Sequence, residues 1–239
     1  MTDISRIRTF IFDLDNTLYH PSTGLMDQMH VRMGDYITRF LGVEAAVADQ
    51  MRHRYWKQYG TTMAGLVTEH GVDPYHFMEF VHDLDLSLVQ ACARTRAHLQ
   101  ALPGRRVIFT NADNRHAERM LAHLGLADVF EQIYDVTRVG FTPKPALESY
   151  HKVLDCLGEK GSNCAMFEDA LENLRPAHEL GMTTIWVTPE QQDHPFVHHR
   201  TPDVLTWLEG VTPRHEQHPD RTGTQPRPDE NPQGRRHPA

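Results

Sequence analysis

The sequence predicts an α/β protein: an open, mostly parallel sheet flanked by helices, with an all-helical segment inserted after its first strand. Short apolar runs rich in branched and aromatic residues recur at strand length along the 239 residues. Helical periodicity separates later runs, which is the alternation that builds a parallel sheet with crossover helices. Between the first and second runs, residues 25–99 carry helical stripes and no convincing strand pattern.

Thr9–Phe12, reading TFIF, opens the series as a buried parallel strand, because polar residues appear only at its end. The helical stripes that follow are Met26, Met29 with Met33, Ile37 and Phe40 with Leu41, then Val47, Met51 and Tyr55. In DPYHFMEFVHDL, Asp73 stands where a helix cap belongs, Pro74 suits the first helical position, and Phe77, Phe80, Val81 and Leu84 form an inward face. LPG at 102–104 marks the return to the sheet, and RRVIFTN (105–111), QIYDV (132–136), CAMFED (164–169) and TTIWV (183–187) supply the remaining strands. NRHAERMLAHLG places Ala117, Met120, Leu121 and Leu124 on one side before Gly125, and LENLRPAHELG ends in the same way at Gly181. The expected organisation is a core of residues 1–17 and 100–210, with 18–99 as an inserted helical cap whose crossings fall near 17–24 and 99–104. After TPDVLTWLEG the chain turns to Pro, Arg, His, Gln and Asp, too poor in apolar residues to form a core. Residues 211–239 are therefore expected to be a disordered tail.

A formal charge of −8 and 39% hydrophobic residues fit a globular chain with no general affinity for polymeric nucleic acid or an anionic membrane. A local positive pocket for a small anion stays compatible with that balance. Cys92, Cys156 and Cys164 form no CxxC pair, so reduced, buried thiols are expected rather than a disulfide framework or a zinc site. The N-terminus lacks the pattern of a secretion signal and no apolar run reaches membrane-spanning length, which makes the cytoplasm the expected location. YWKQYG at 55–60 reads as helix packing, and His194, His198 and His199 in HPFVHHR receive no assignment. No strand-associated GxGxxG and no Walker-type phosphate loop is present.

The chemistry-bearing signal begins where the first strand stops. Asp13 and Asp15 are two positions apart, so in an extended chain both side chains face one side and Leu14 faces away. At the carboxyl end of a parallel strand that side opens into the ligand crevice. Two crowded carboxylates repel, and a divalent cation relieves the repulsion; oxygen ligands beside a phosphate suit Mg2+. Thr110 and Asn111 end VIFTN, Lys144 lies in the loop FTPKP, and Glu168 and Asp169 end CAMFED, each where this sheet presents its crevice. Together they suit a phosphate monoester. Asp13 can attack phosphorus, Asp15 can protonate the departing alcohol, Thr110 and Asn111 can meet phosphoryl oxygens, Lys144 can neutralise developing charge, and Asp169 can complete a metal site with the aspartate pair. Taken singly, each has a plainer reading: Thr110 and Asn111 as turn residues, Lys144 as a surface lysine ahead of a helix started by Pro145, Asp169 as a helix cap.

These segments in this order, FIFDLDNTL, VIFTN, FTPKP and MFEDALENL, make residues 8–187 resemble the haloacid dehalogenase superfamily in its phosphatase branch. YGTTMAGL (59–66), HGVDPYHFMEFVHDLDLS (70–87), LPGRRVIFTNADNRHAERMLAHLGLADVFEQIYDV (102–136) and MFEDALENLRPAHELGMTTIWV (166–187) are closer to its pyrimidine 5′-nucleotidase group. The resemblance implies Asp13 as the phosphate-accepting nucleophile, Asp15 as general acid and base, Thr110 as a phosphoryl ligand and Lys144 as charge stabiliser. It implies Mg2+ held by Asp13, the main-chain carbonyl of Asp15 and Asp169, with Glu168 and Asn173 in the outer shell. Ala170 and Asn173 stand where the common GDSxxD motif has Ser and Asp, which leaves that outer shell open. The implied substrate is a small phosphorylated metabolite, a nucleoside 5′-monophosphate and foremost a pyrimidine one, with residues 17–30 and YGTTMAGL shaping the entrance. A broad sugar or small-metabolite phosphatase, a sugar phosphomutase and a phosphate-binding module without turnover are the alternatives. Dehalogenation is disfavoured, since the superfamily's dehalogenases usually depart from the second aspartate.

Overall fold

The computed structural model describes residues 4–211, so the expected tail, beyond its first residue, lies outside the described residues. Strand β1 (Thr9–Phe12) leads into four helices, α1 (Leu25–Leu41), α2 (Ala45–Tyr59), α3 (Thr62–His70) and α4 (Pro74–Val81), and then α5 (Ala93–Gln100). Strand β2 (Arg105–Phe109), α6 (Asn114–His123), β3 (Gln132–Tyr134), α7 (Leu147–Leu157), β4 (Cys164–Glu168), α8 (Leu171–Glu179), β5 (Thr183–Val187), β6 (His199–Thr201) and α9 (Val204–Val211) follow. The six strands form one parallel sheet in the order β3-β2-β1-β4-β5-β6. The chain builds outward from β1 in one direction and then in the other, so the reversal falls between β1 and β4. Ligands of open α/β sheets bind beyond the strand ends at such a point.

Alternation along each strand divides the core in two. Phe10, Phe12, Ile108, Phe167, Ile185 and Val187 share one face with Leu99 of α5, Met120 and Leu121 of α6, and Trp207 and Leu208 of α9. Ile11, Val107, Phe109, Met166 and Trp186 share the other with Tyr150 and Val153 of α7 and Leu174 of α8. Phe12 stacks on Phe167 at 4.3 Å, and Trp207 meets that ring edge-on at 4.7 Å. The two strands that carry the acidic residues are the central pair of the sheet.

The helices between β1 and β2 build a separate cluster from Tyr36, Ile37, Ala48, Tyr55, Leu66, Phe77 and Val81. Asp73 caps α4 by accepting from the Tyr75 amide at 3.0 Å, with Pro74 in the first turn, as its residue types dictate. Leu25 and Met29 of α1 and Leu84 beyond α4 join the sheet-side cluster, and α5 packs on α9.

Several expectations are corrected. Phe40 and Val47 are exposed, Phe40 stacking on Tyr36 at the helix surface. Strand β6, a three-residue polar edge without an apolar run, had no sequence signal. Cys92 and Cys156 are exposed, and only Cys164 is buried; all three are free, and burial pushes the Cys164 thiol up to about 12. Among the described residues no helix is long and apolar enough to cross a membrane.

Candidate active site

The end of β1 delivers the two aspartates. The Asp13 amide still bonds the Phe167 carbonyl at 2.9 Å, after which Leu14 is buried in the sheet-side core and Asn16 turns the chain with φ of 63°. Asparagine tolerates that left-handed region better than most residues. Asp13, Asp15, Thr110, Asn111, Lys144, Glu168, Asp169 and Asn173, the residues singled out from the sequence, all line one cavity of about 480 Å³.

Lys144 is the hub. Its side chain is 1% exposed, and its Nζ donates to Asp13 Oδ1 at 2.7 Å, Glu168 Oε2 at 2.6 Å and the Phe109 carbonyl at 2.8 Å. It is therefore no surface lysine, and α7 starts at Leu147 rather than at Pro145. Asn111, expected at the phosphate, has a different engagement: its Oδ1 accepts from the Lys144 amide at 2.7 Å and its Nδ2 donates to the Lys144 carbonyl at 3.0 Å. Both ends of the amide thus hold the main chain of the lysine. The Thr110 hydroxyl accepts from the Ala112 amide at 3.0 Å, which leaves its own proton for a ligand.

The acidic groups are crowded. Burial, with Asp169 and Asp15 close by, pushes Asp13 up to about 6 against the opposing pull of Lys144. Burial and Asp13 drive Glu168 well above the usual carboxylate range, and burial raises Asp169. Burial opposes the charge on Lys144, but Asp13 and Glu168 outweigh it and hold the ammonium ionised. Asp15 goes the other way: despite burial, His116 and Tyr19 lower it to about 2.

Among the described residues, Asp13, Glu168 and Asp169 form the one group of three metal-capable side chains, their ligand oxygens within 4.8 Å of one another. One lysine cannot offset this concentration of carboxylates, and an all-oxygen set suits a hard cation such as Mg2+, so these residues fit that ion. Glu168 also has a part the sequence did not signal, as the buried counter-ion of Lys144; its Oε1 accepts from the Ala170 amide at 3.2 Å. Asp15 Oδ1 accepts from Tyr19 and His116, so any share of Asp15 in a metal shell fits its main-chain carbonyl better. Ala170, not Asp169, caps α8, and Asn173 lines the cavity one turn further on.

Sequence reasoning missed Thr17, Tyr19 and His116. The Thr17 hydroxyl donates to Asp13 Oδ2 at 2.9 Å and lies 3.4 Å from Asp169 Oδ1. The available signal for His116 was a histidine interrupting the apolar stripe of α6, where it is fully buried. The roof of the cavity comes from the inserted helices: Met26, Met29, Met33, Met63 and Met78, with Trp56 and the polar side chains of His30, Arg52 and His53. Gly60, Thr61 and Thr62 from YGTTMAGL line it as well. Tyr55 of YWKQYG packs inside the helical cluster as expected, whereas Trp56 is 57% exposed.

Comparison with known proteins places the chain beside one family model, one relative and three solved structures. The family model for haloacid dehalogenase-like hydrolases matches residues 7–181. Phosphate metabolism protein 8 of Saccharomyces cerevisiae is 26% identical over 191 residues, covering 73% of this chain and 60% of that protein. The chain thus spans 60% of that relative's length, less than two thirds of it. Among solved structures, a HAD phosphatase from Thermococcus onnurineus superposes with a TM-score of 0.61 at 17% identity, over 86% of this chain and 97% of that one. The putative HAD-hydrolase YfnB from Bacillus subtilis, bound to magnesium, gives 0.58 at 17% identity, over 86% and 98%. A 2-haloacid dehalogenase from Pseudomonas syringae gives 0.56 at 19% identity, over 86% and 97%. These likenesses establish a shared fold.

Proposed function

This chain belongs to the haloacid dehalogenase-like hydrolase family, and from that premise we propose that it is a Mg2+-dependent phosphatase of nucleoside 5′-monophosphates, pyrimidine nucleotides foremost. The observation that carries the proposal is the single cavity with Asp13, Asp15, Thr110, Lys144 and Asp169 on its floor and methionines and Trp56 on its roof. The floor suits a phosphoryl group. The methionines and Trp56 of the roof suit the flat face of a base, and His30, Arg52 and His53 can meet its polar edge. Preference for pyrimidines rests on the sequence resemblance. Residues 18–99 act in this reading as the cap over a core of 1–17 and 100–210, with α1–α4 reaching over the site. The free thiols fit a reducing, cytoplasmic setting.

In the proposed reaction an Asp13 carboxylate oxygen forms a bond to phosphorus while the bond from phosphorus to the ester oxygen breaks. The ester oxygen keeps that electron pair and takes a proton from Asp15. Because Asp15 is held as a carboxylate in the free site, the substrate monoanion, whose last proton leaves near a pKa of about 6, brings the proton in. Lys144 and the Thr110 hydroxyl meet the phosphoryl oxygens. Water then attacks the phosphoryl group, Asp15 takes its proton, and inorganic phosphate leaves Asp13 free. Asp13, Asp169 and the Asp15 carbonyl would hold Mg2+, which would supply positive charge to offset the carboxylates and the phosphoryl group.

The test is phosphate release from UMP, CMP, AMP, GMP and common sugar phosphates, with Mg2+, after chelation and after metal return. UMP and CMP should lead, chelation should abolish release, and folded Asp13→Asn should form no covalent phosphoryl-enzyme. Turnover by metal-free protein or by Asp13→Asn would overturn the mechanism, and a preference for sugar phosphates would overturn the substrate assignment.

A further inference from the structure

We propose that His116 is a positioning residue that presents Asp15 to the leaving group, and that His82, from the end of α4, holds His116 in place. The inference rests on the phosphatase reading above and assigns parts to two histidines outside the acidic cluster.

Asp113 caps α6 by accepting from the His116 amide at 2.7 Å, which puts His116 in the first turn of the helix, facing the end of β1. The imidazole has no exposed surface, and its Nε2 lies 2.8 Å from Asp15 Oδ1. The Tyr19 hydroxyl donates to that same oxygen at 2.7 Å. Two partners on Oδ1 orient the carboxyl group and leave Oδ2, which no protein donor among the described residues engages, for the cavity that Asp15 lines. A proton carried by Asp15 then resides on Oδ2, the oxygen placed to give it up. His116 Nδ1 is buried without a hydrogen-bond partner. Leaving such a group unpaired costs about 1–3 kcal/mol, whereas an apolar residue beside Ala117 and Met120 would not. The histidine's compensating interaction is the bond to Asp15.

His82 closes His116 from the other side. The two rings stack with centroids 4.5 Å apart and planes 24° from parallel. His82 Nδ1 is 3.4 Å from Asp113 Oδ2, and its carbonyl accepts from Arg119 of α6 at 2.9 Å. The helix that ends in His82 also contributes Phe77, Met78 and Val81 to the cavity. One rigid element therefore touches the space above the substrate and the ring that orients Asp15, which ties the placement of α4 to the proton donor.

The test compares UMP, or whichever alkyl phosphate the wild type hydrolyses, with p-nitrophenyl phosphate, whose phenolate departs with little need of a proton. The measured quantity is kcat/KM, which reports transfer to Asp13. His116→Leu should lose at least about tenfold more on the alkyl ester than on the aryl ester, with KM for the alkyl ester changed less than about threefold. His116→Gln, whose amide nitrogen reaches the position of Nε2, should recover most of the loss, and His82→Ala should show the same selective loss in smaller measure. Equal losses on both esters, or no loss, would overturn the inference and leave the phosphatase reading standing. If His116→Leu does not fold, the pair His116→Gln and His116→Asn decides: a selective loss confined to the shorter Asn supports positioning, and any other pattern overturns it. A wild type that hydrolyses neither ester removes the phosphatase reading and this inference together.

Discussion

Replacing Lys144 by methionine removes the one cation that, among the described residues, is buried against Asp13 and Glu168, while preserving the side chain's approximate length. The ammonium bonds Asp13, Glu168 and the Phe109 carbonyl at 2.6–2.8 Å, and Glu168 is 1% exposed. Breaking a buried pair by removing one partner costs about 3–5 kcal/mol, because the remaining charge is left without compensation. At about 2–4 °C per kcal/mol for a chain of this size, the melting temperature should fall by roughly 6–20 °C. The deficit should depend on pH. The pKa of Asp13 is already raised to about 6 in the folded state, that of Glu168 is raised further, and loss of the lysine raises both again. A carboxyl group raised on folding contributes stability that is fully present below its unfolded pKa and is lost as pH rises through the folded value. The variant should therefore lie closest to wild type near about pH 5 and furthest from it near about pH 8. Lys144→Met/Glu168→Gln should regain at least about 1 kcal/mol over the single variant, because one orphaned charge is gone. Thermal melts and urea unfolding, both followed by circular dichroism in chelator-treated protein, measure these quantities. A loss below about 1 kcal/mol, unchanged between the two pH values, would refute the account of Lys144 as the cluster's counter-ion.

Two further outcomes follow from the geometry. Protons and Mg2+ compete for Asp13 and Asp169, both raised by burial, so the apparent affinity for Mg2+ should rise with pH at least until pH passes about 6. Titration calorimetry across that range checks this, and a flat response would remove Asp13 from the metal's ligands. Gly65→Ala would drive a methyl group to 2.3 Å from Tyr55 Cγ, where α2 and α3 meet. It should destabilise the protein by about 1–3 kcal/mol, read as a lowered melting temperature, and an unchanged melting temperature would show that the helices separate freely.

By itself, the sequence determined five of the six strands, most helices and the acidic pair, because each is written in neighbouring residues. Phe10 and Phe12 alternate with Ile11 between two cores, Asp73 and Pro74 start α4, and the apolar run of β1 stops at Asp13. Periodicity reports which face is buried, and β1 and β4 both end where their polar residues begin. Tertiary structure decided the partners. Lys144 reaches Asp13 across 131 positions and Glu168 across 24, His116 reaches Asp15 across 101, and Asn111 turns to the lysine's main chain across 33. No local pattern encodes these pairings, since they depend on which strands become neighbours and how far each loop carries its side chain. The same holds for Trp56, whose exposed place over the site depends on how α2 is carried above the strand ends, a matter of helix packing that the spacing of apolar residues along one helix cannot express.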